Sequence, residues 1–337
     1  MLFDALVTMT VMLVTGSIVY CGLVLVAAGR YRSRKSGIPA VLPAFTVITP
    51  VAGAENGLEE NLRSSFEQDY PEFELIFVAR NAADPALDVV RKLVLAYPSV
   101  PARVVVSGEP PFANAKVYSL HCGIEQARHG LVAMKDSDVR TGTDMLRELA
   151  AEFAETAAGL ITCPYRAVPH GGFWWQMDAL GINTRFMGGV LVASMLREID
   201  FTIGPLNAAR KEALERIGGI YQFGTYLAED FMLGHAARTH GSGLILSSYP
   251  IDHRLGGGDF RGNFAHRLRW ARSTRCSRGW GYVGEFFTHP LPPACALVAL
   301  DPHWAPLAAA AVLLRGLSAW VNSAPGSWRH LLVCAAG

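Results

Sequence analysis

The chain has 337 residues, room for one large domain or two modest ones. Hydrophobic residues make up 51% and charged residues 18%, below the roughly 25% charged content of ordinary soluble domains, and mean hydropathy is +0.24. That excludes a plain soluble domain and points to a membrane protein with a substantial soluble part, while a net charge of +1 gives no global pull toward nucleic acid.

The first element is an apolar run over residues 5–29, with nothing charged between Asp4 and Arg30. About 20 apolar residues cross a bilayer, so the run is long enough. A signal peptide would have a shorter apolar core and a basic amino end. Here Asp4 precedes the run, and Arg30, Arg32, Arg34 and Lys35 follow it. By the positive-inside rule the amino terminus is expected outside and the next domain in the cytoplasm. An uncleaved anchor with its basic flank is therefore expected over 1–36.

After a linker over 37–43, strands are predicted at Phe45–Pro50, Phe73–Ala79, 103–107 and Leu131–Lys135. Helices are predicted between them over 58–68, 85–97 and 115–128, with Asp84 as cap and Pro85 in the first turn of the second. Strands alternating with helices of about a dozen residues predict an α/β class built on a parallel sheet with crossover helices. The one G-x-G-x-x-G, Gly279–Gly284, follows no predicted strand, and no P-loop occurs, so neither a dinucleotide fold nor a P-loop nucleotide site is supported.

The pattern continues with a helix over 144–155 and a strand over 160–163. Next comes an aromatic, weakly charged stretch from Gly171 through Leu196, including Phe173, Trp174 and Trp175. It suits either a bilayer interface or an ordinary core helix. A segment over 204–209, helices over 210–217 and Glu229–Thr239, and a strand over 244–247 complete the soluble part. In the tail, 290–300 is short, and 305–320 carries Arg315. Both fall short of a comfortable span, which leaves a re-entrant pair or interfacial helices. The six cysteines, Cys21, Cys122, Cys163, Cys276, Cys295 and Cys334, show no C-x-x-C pair. They indicate neither a zinc site nor a disulfide framework and fit a reducing compartment.

Four clusters can carry chemistry. Asp136-Ser137-Asp138 ends the fourth strand, and ligands of open α/β sheets bind at that edge. Two carboxylates there can hold a divalent cation, and the cation a diphosphate. Glu229-Asp230 opens a helix, where a carboxylate is favoured by the dipole and can also serve as general base. His266-Arg267-Leu268-Arg269-Trp270, followed by Arg272 and Arg275, is either a phosphate clamp or a basic helix on anionic headgroups. Asn114-Ala115-Lys116 precedes a helix whose amino end could face an anion.

In order and spacing these clusters resemble the inverting, membrane-bound GT-A glycosyltransferases. The closer resemblance is to ceramide glucosyltransferase and its bacterial relatives, including hopanoid-associated glycosyltransferases. It rests on Gln68-Asp69-Tyr70-Pro71, Asp84-Pro85-Ala86, Asn114-Ala115-Lys116-Val117, Asp136-Ser137-Asp138-Val139-Arg140, Gly218-Gly219, Ala228-Glu229-Asp230-Phe231 and Arg269-Trp270. The resemblance implies a GT-A fold with an N-terminal transmembrane helix and C-terminal membrane-associated helices. It implies a cytoplasmic catalytic domain over 44–260, interfacial Arg/Trp helices over 261–288 and a membrane-associated segment over 289–337, in a bacterial inner membrane. Sugar, foremost glucose, would pass from a UDP-sugar to a lipid hydroxyl, ceramide first and a hopanoid polyol with UDP-N-acetylglucosamine next. Mg²⁺ or Mn²⁺ would sit on Asp136 and Asp138, and Asp230 would be the base with Glu229 beside it. Asn81, Lys116, His266, Arg269 and Trp270 would line the donor. Asn81 stands where the family has an aspartate, and His266 where it has Gln or Arg. A catalytically silent nucleotide-sugar-binding protein is the reading from another class.

Overall fold

The computed structural model describes residues 1–34, 37, 41–256 and 259–323; Lys35, part of the 37–43 linker, Cys334 and the rest of the tail lie outside the described residues. The chain divides into two compact units. A sheet unit takes Lys35–Gln176 and Glu198–Phe260, and a helical unit takes Met1–Arg34, Met177–Arg197 and the described residues from Arg261.

In the sheet unit, the chain-order strands are β1 (Phe45–Pro50), β2 (Phe73–Ala79), β3 (Ala102–Val106), β4 (Leu131–Lys135) and β5 (Val139–Arg140). They continue with β6 (Leu160–Thr162), β7 (Tyr165–Pro169), β8 (Leu206–Arg210), β9 (Leu244–Leu246) and β10 (Ile251–Leu255). One sheet has the order β3-β2-β1-β4-β8-β6-β9, and a smaller one the order β5-β10-β7. β2 and β4 are buried along their whole length and read as near-continuous apolar runs, as strands covered on both faces must. β1 runs parallel to both, Pro50 opposite Val78 and Ile48 opposite Met134. Their carboxyl ends therefore open on one edge, where the 51–57 loop, Arg80-Asn81 and Asp136 emerge.

Helices α2 (Leu58–Phe66), α3 (Ala86–Ala96), α4 (Ala115–Gln126), α5 (Met145–Glu155) and, later in the chain, α8 (Lys211–Arg216) fall where the periodicity puts them. α3 buries Leu87, Val90 and Leu93, each contributing about 1.5–3 kcal/mol. The expected Asp84 cap forms. Its Oδ1 accepts from the Ala86 amide at 2.9 Å and from Gly53 at 2.8 Å, fastening the loop after β1 to the start of α3.

The sheet departs from the all-parallel expectation at β8, which runs antiparallel to both β4 and β6. Its Leu-Asn-Ala-Ala-Arg sequence is short and buried, and a buried run carries no signal of strand direction. The antiparallel placement matters, because it brings Pro205, just before β8, against Asp136, whose amide donates to the Pro205 carbonyl at 2.9 Å.

In the helical unit, α1 (Leu2–Ser33) is the expected long apolar helix. The aromatic stretch forms one helix, Phe173–Leu196, made of α6 (Phe173–Gly181), a π-turn (Ile182–Phe186) and α7 (Met187–Leu196), and it belongs to this unit from Met177 onward. Beyond it lie α10 (Phe260–Arg278), a 3₁₀ segment (Gly279–Thr288), α11 (Leu291–Leu300) and α12 (Ala305–Ser323). Among the described residues three helices are long and apolar enough to cross a membrane: Leu2–Ser33, Phe173–Leu196 and Pro302–Asn322.

The last of these corrects the expectation that 305–320 is too short. A 3₁₀ turn at Pro302–Trp304, capped by Asp301 on the His303 amide, extends the helix backward, and it runs on to Asn322. Arg315 does not end the run, because its guanidinium donates to Thr184 Oγ1 at 3.0 Å. Leu291–Leu300 stays short. Val14 of α1 packs on Ala294 and Leu297 of α11 and Ala308 and Ala311 of α12. Small alanines let these helix backbones approach closely.

Candidate active site

The site is built at the carboxyl edge of the larger sheet. β4 ends at Lys135, and the turn Asp136-Ser137-Asp138 leads directly into β5. β5 pairs with β10, placing Val139 opposite His253. The register presents His253 Nε2 to Asp138 Oδ2 at 3.0 Å, while the Arg254 amide donates to the Asp138 carbonyl at 2.9 Å. The Tyr165 ring packs edge-on against the imidazole, with centroids 5.0 Å apart.

Asn114 caps α4 as its sequence suggests, accepting from the Val117 amide at 3.3 Å. Its amide nitrogen reaches the other way, donating to the Tyr226 carbonyl and Glu229 Oε2, both at 3.1 Å. This one side chain joins the start of α4 to the start of α9 (Glu229–Thr239). Lys116, in the first turn of α4, then lies 2.7 Å from Asp136 Oδ1 and 3.7 Å from Glu229 Oε1. Three of the four clusters thus meet in one place.

Asp230 follows Glu229 on α9, and its Oδ1 accepts from the Phe231 amide at 2.8 Å. The Thr202 hydroxyl donates to the Asp230 carbonyl at 2.7 Å, holding the helix start against the loop before β8. Lys116, Asp136, Gly204, Asn207, Glu229 and Asp230 line a cleft open to solvent. A second, polar hollow on the Ser137–Asp138 side includes Glu55, Asn61, His170 and Arg254.

The charges are strongly perturbed. Burial, then Glu229, pushes the Asp230 carboxyl up to about 6, against the Phe231 amide and Lys116. Burial raises Asp136 above the usual carboxylate range, against the pull of Lys116. Burial opposes ionisation of Asp138 as well, but His253 draws it below its ordinary value. Burial works against the Lys116 ammonium, yet Asp136 and Glu229 hold its pKa above the usual lysine value. Fully buried Lys135, bonded to the Asn61 carbonyl at 3.1 Å, is pushed down to about 7 by burial against Asp138 and Asp136.

A divalent cation fits the Asp136–Asp138 turn. Asp138 Oδ1 is buried with no hydrogen-bond partner, an orphaned hard oxygen of the kind such ions take. Among the described residues no three His, Cys, Asp or Glu side chains group closely enough to form a cation site by themselves. The carboxylates would therefore share a cation with oxygens from a ligand, as Mg²⁺ sites with substrate phosphates do.

The remaining expected residues fall elsewhere. Asn81 is exposed at the same sheet edge, its Oδ1 accepting from the Ala83 amide at 2.9 Å to close a turn. His266, Arg269 and Trp270 belong to α10 in the helical unit. There His266 Nδ1 lies 3.2 Å from Asp178 Oδ2, Trp270 packs edge-on against Phe186, and Arg269 is exposed. His253 is the residue that sequence reasoning missed. Its signal is the alternation Ile251, His253, Leu255, which marks a strand with the imidazole on its apolar face.

Gly234 fixes how closely α9 approaches the loop that carries Thr202. A methyl group there would collide with the backbone of Phe201 and Thr202, which cannot swing aside. Gly234→Ala is expected to cost about 1–3 kcal/mol, outweighing the helix-propensity gain. A denaturant midpoint below wild type, with unchanged slope, is the measurement.

The Glycosyl transferase family 21 model matches residues 8–333. Ceramide glucosyltransferase 1 of Caenorhabditis elegans is 31% identical over 211 residues, covering 62% of this chain and 45% of that protein. Ceramide glucosyltransferase 3 of the same organism is 30% identical, covering 62% of this chain and 46% of that protein. The matched stretch thus spans under half the length of these relatives. A solved mannosyltransferase from Pyrobaculum calidifontis, in complex with GDP-Man and Mn²⁺, is similar in fold, with a TM-score of 0.56. The match has 20% identity and covers 98% of this chain and 88% of that one. That likeness bears out the GT-A expectation for the fold. With residues 8–333 accounted for by one family model, this chain is a member of glycosyl transferase family 21.

Proposed function

We propose that this protein moves a sugar, glucose in the first instance, from a UDP-sugar to a hydroxyl group of a membrane lipid, with ceramide as the acceptor. The observation that carries the reading is the Asp230 carboxyl, raised to about 6 in a cleft shared with Lys116 and Asp136. A base for an alcohol works best with a pKa near the operating pH, and an ordinary exposed aspartate is about two units too acidic. Family membership and the names of the curated relatives support the same chemistry.

The acceptor oxygen would attack the anomeric carbon as its proton passes to Asp230. The bond from that carbon to the diphosphate would break on the opposite face, its electron pair leaving with UDP. One displacement of this kind inverts the anomeric configuration. Glu229 raises the basicity of Asp230, and Lys116 offers positive charge at the Asp136 side of the cleft. Mg²⁺ or Mn²⁺, held by Asp136 and Asp138, would supply charge for the leaving diphosphate. Asn81 would face the nucleoside, while His266, Arg269 and Trp270 would serve the donor and the acceptor entrance. Residues 44–260 would be the catalytic domain on the cytoplasmic side of a bacterial inner membrane, with 1–36, 261–288 and 289–337 membrane-associated.

The test is a matrix of UDP-glucose, UDP-galactose and UDP-N-acetylglucosamine against ceramide, with purified chain in detergent and products read by mass. Monohexosylceramide of β configuration from an α-linked donor, lost on chelation, is the expected result. Another lipid product would keep the chemistry and change the acceptor. No transfer and no donor hydrolysis in any well would sink the proposal.

A further inference from the structure

The cleft holds one buried polar group that the transfer chemistry leaves unused. Asn207 lies in the middle of β8, opposite Met134 of β4 and Thr162 of β6. Asparagine is depleted in strands, and an amide is costly to bury without partners. Here the residue is only 5% exposed. Its Nδ2 donates to the Gly204 carbonyl at 3.1 Å. That bond settles which way the amide faces, since an oxygen in the same place would meet the carbonyl oxygen. Asn207 Oδ1 is then left buried with no hydrogen-bond partner, a state that costs stability and calls for a physical reason.

Three features say what would satisfy it. The first is placement. A methyl group on Gly204 would stand 3.0 Å from Asp230 Oδ2, and the next carbonyl, of Pro205, accepts from the Asp136 amide at 2.9 Å. Asn207, clipped to Gly204, therefore lines the cleft beside the segment that joins these two carboxylates. In the proposed reaction the diphosphate lies on the Asp136 side and the attacking oxygen on the Asp230 side, so the sugar in transit lies between them. The second feature is polarity. Asp136, Glu229, Asp230 and Asn207 Oδ1 all offer acceptor oxygens, while the Lys116 ammonium is engaged by Asp136 at 2.7 Å and Glu229 at 3.7 Å. A ligand that answers such a set brings several hydroxyl donors, as a hexose does. The third is the apolar remainder of the lining, with Val117, Met134, Ile220 and Phe223, which gives a lone water few other partners.

We infer that Asn207 Oδ1 accepts a hydrogen bond from one hydroxyl of the donor sugar and so helps to select which hexose is transferred. A sugar that lacks this hydroxyl leaves the buried oxygen unpaired and is disfavoured for that reason. The inference rests on the UDP-sugar reading of the cleft, so nucleotide binding and sugar binding are measured separately.

The full chain in detergent with Mn²⁺ is titrated calorimetrically with UDP, with UDP-glucose, and with UDP-glucose analogues deoxygenated at C2, C3, C4 or C6. Asn207→Leu keeps the size of the side chain and removes its acceptor. UDP should bind this variant as it binds wild type, which also reports that the variant is folded. UDP-glucose should bind it about tenfold more weakly. With one of the deoxy analogues the difference between wild type and variant should vanish, because the hydroxyl in question is already missing. Should Asn207→Leu fail to fold, Asn207→Ala takes its place. Equal UDP-glucose affinity in wild type and variant, or the same loss with every analogue, overturns the contact and leaves the UDP-sugar reading standing. Wild type binding all the deoxy analogues as tightly as UDP-glucose overturns it too, without any variant. A wild-type chain that binds neither UDP nor UDP-glucose removes that reading and the inference with it.

Discussion

Asp230→Asn is expected to lower sugar transfer by about 10²- to 10⁴-fold, the range for losing a general base, with UDP-sugar binding unchanged. Asparagine keeps the shape and can still accept from the Phe231 amide as Asp230 does, so the start of α9 is preserved. What it lacks is an oxygen able to take a proton. The wild-type profile follows from the carboxyl's pKa of about 6. The base acts ionised, so activity falls about tenfold per unit as pH drops below 6 and levels off above it. Stability moves the other way. The folded carboxyl binds its proton more tightly than the unfolded one, so that contribution is full below the ordinary aspartate value of 3.8 and is lost as pH rises through about 6. At pH 7 the variant escapes the cost of an ionised buried acid, a gain of up to about 3 kcal/mol before solvent screening. A variant that melts later and transfers almost nothing is thus the expected outcome. Full activity in Asp230→Asn would remove this residue as the base.

The sheet that makes this possible was legible because its strands are extreme cases. β1, β2 and β4 are largely apolar runs bounded by turn chemistry, broken only by Thr46, Thr49 and Glu74 before the last residue of β4, and each forms within the bounds that its residues imply. α9 likewise starts at Glu229, since two acids ahead of a helical run mark an amino end. The small sheet was not legible. β5 has two residues, β7 mixes Arg with apolar positions, and the alternation in β10 names no partner strand, so nothing local foretells the pairing in which Arg166 meets Asp252 at 3.0 Å. That pairing is a long-range event, and His253 reaches Asp138 through it. Lys116 was recognised as a helix-start cation, but its link to Glu229 depends on Asn114 bridging 115 positions along the chain. No local pattern encodes such a bridge. Arg315 misled the reading of the tail for a related reason. A charge ends an apolar run on paper, whereas in the fold its cost is offset by Thr184.

Asp138→Asn is expected to cost about 10²- to 10³-fold in transfer, and to do so through the cation instead of the base. The two aspartates of the turn are not equivalent. Both oxygens of Asp136 lie within 2.8 Å of Lys116, so that carboxylate already has a cation. Asp138 spends one oxygen on His253 and leaves the other buried and unpartnered. A buried acceptor without a partner costs about 1–3 kcal/mol, which binding a divalent ion would recover. The ion should therefore depend more steeply on Asp138 than on Asp136. Asparagine retains a carbonyl that can face His253, so the β5–β10 pairing survives while the negative charge is lost. Titrating Mn²⁺ against UDP-sugar binding separates the roles. Asp138→Asn should shift the Mn²⁺ midpoint at least tenfold upward and leave the fall in activity below pH 6 in place, since Asp230 is intact. In Asp230→Asn the Mn²⁺ midpoint should stay where it is in wild type. An Asp138→Asn enzyme with an unchanged Mn²⁺ midpoint would rule out this carboxylate as the ligand.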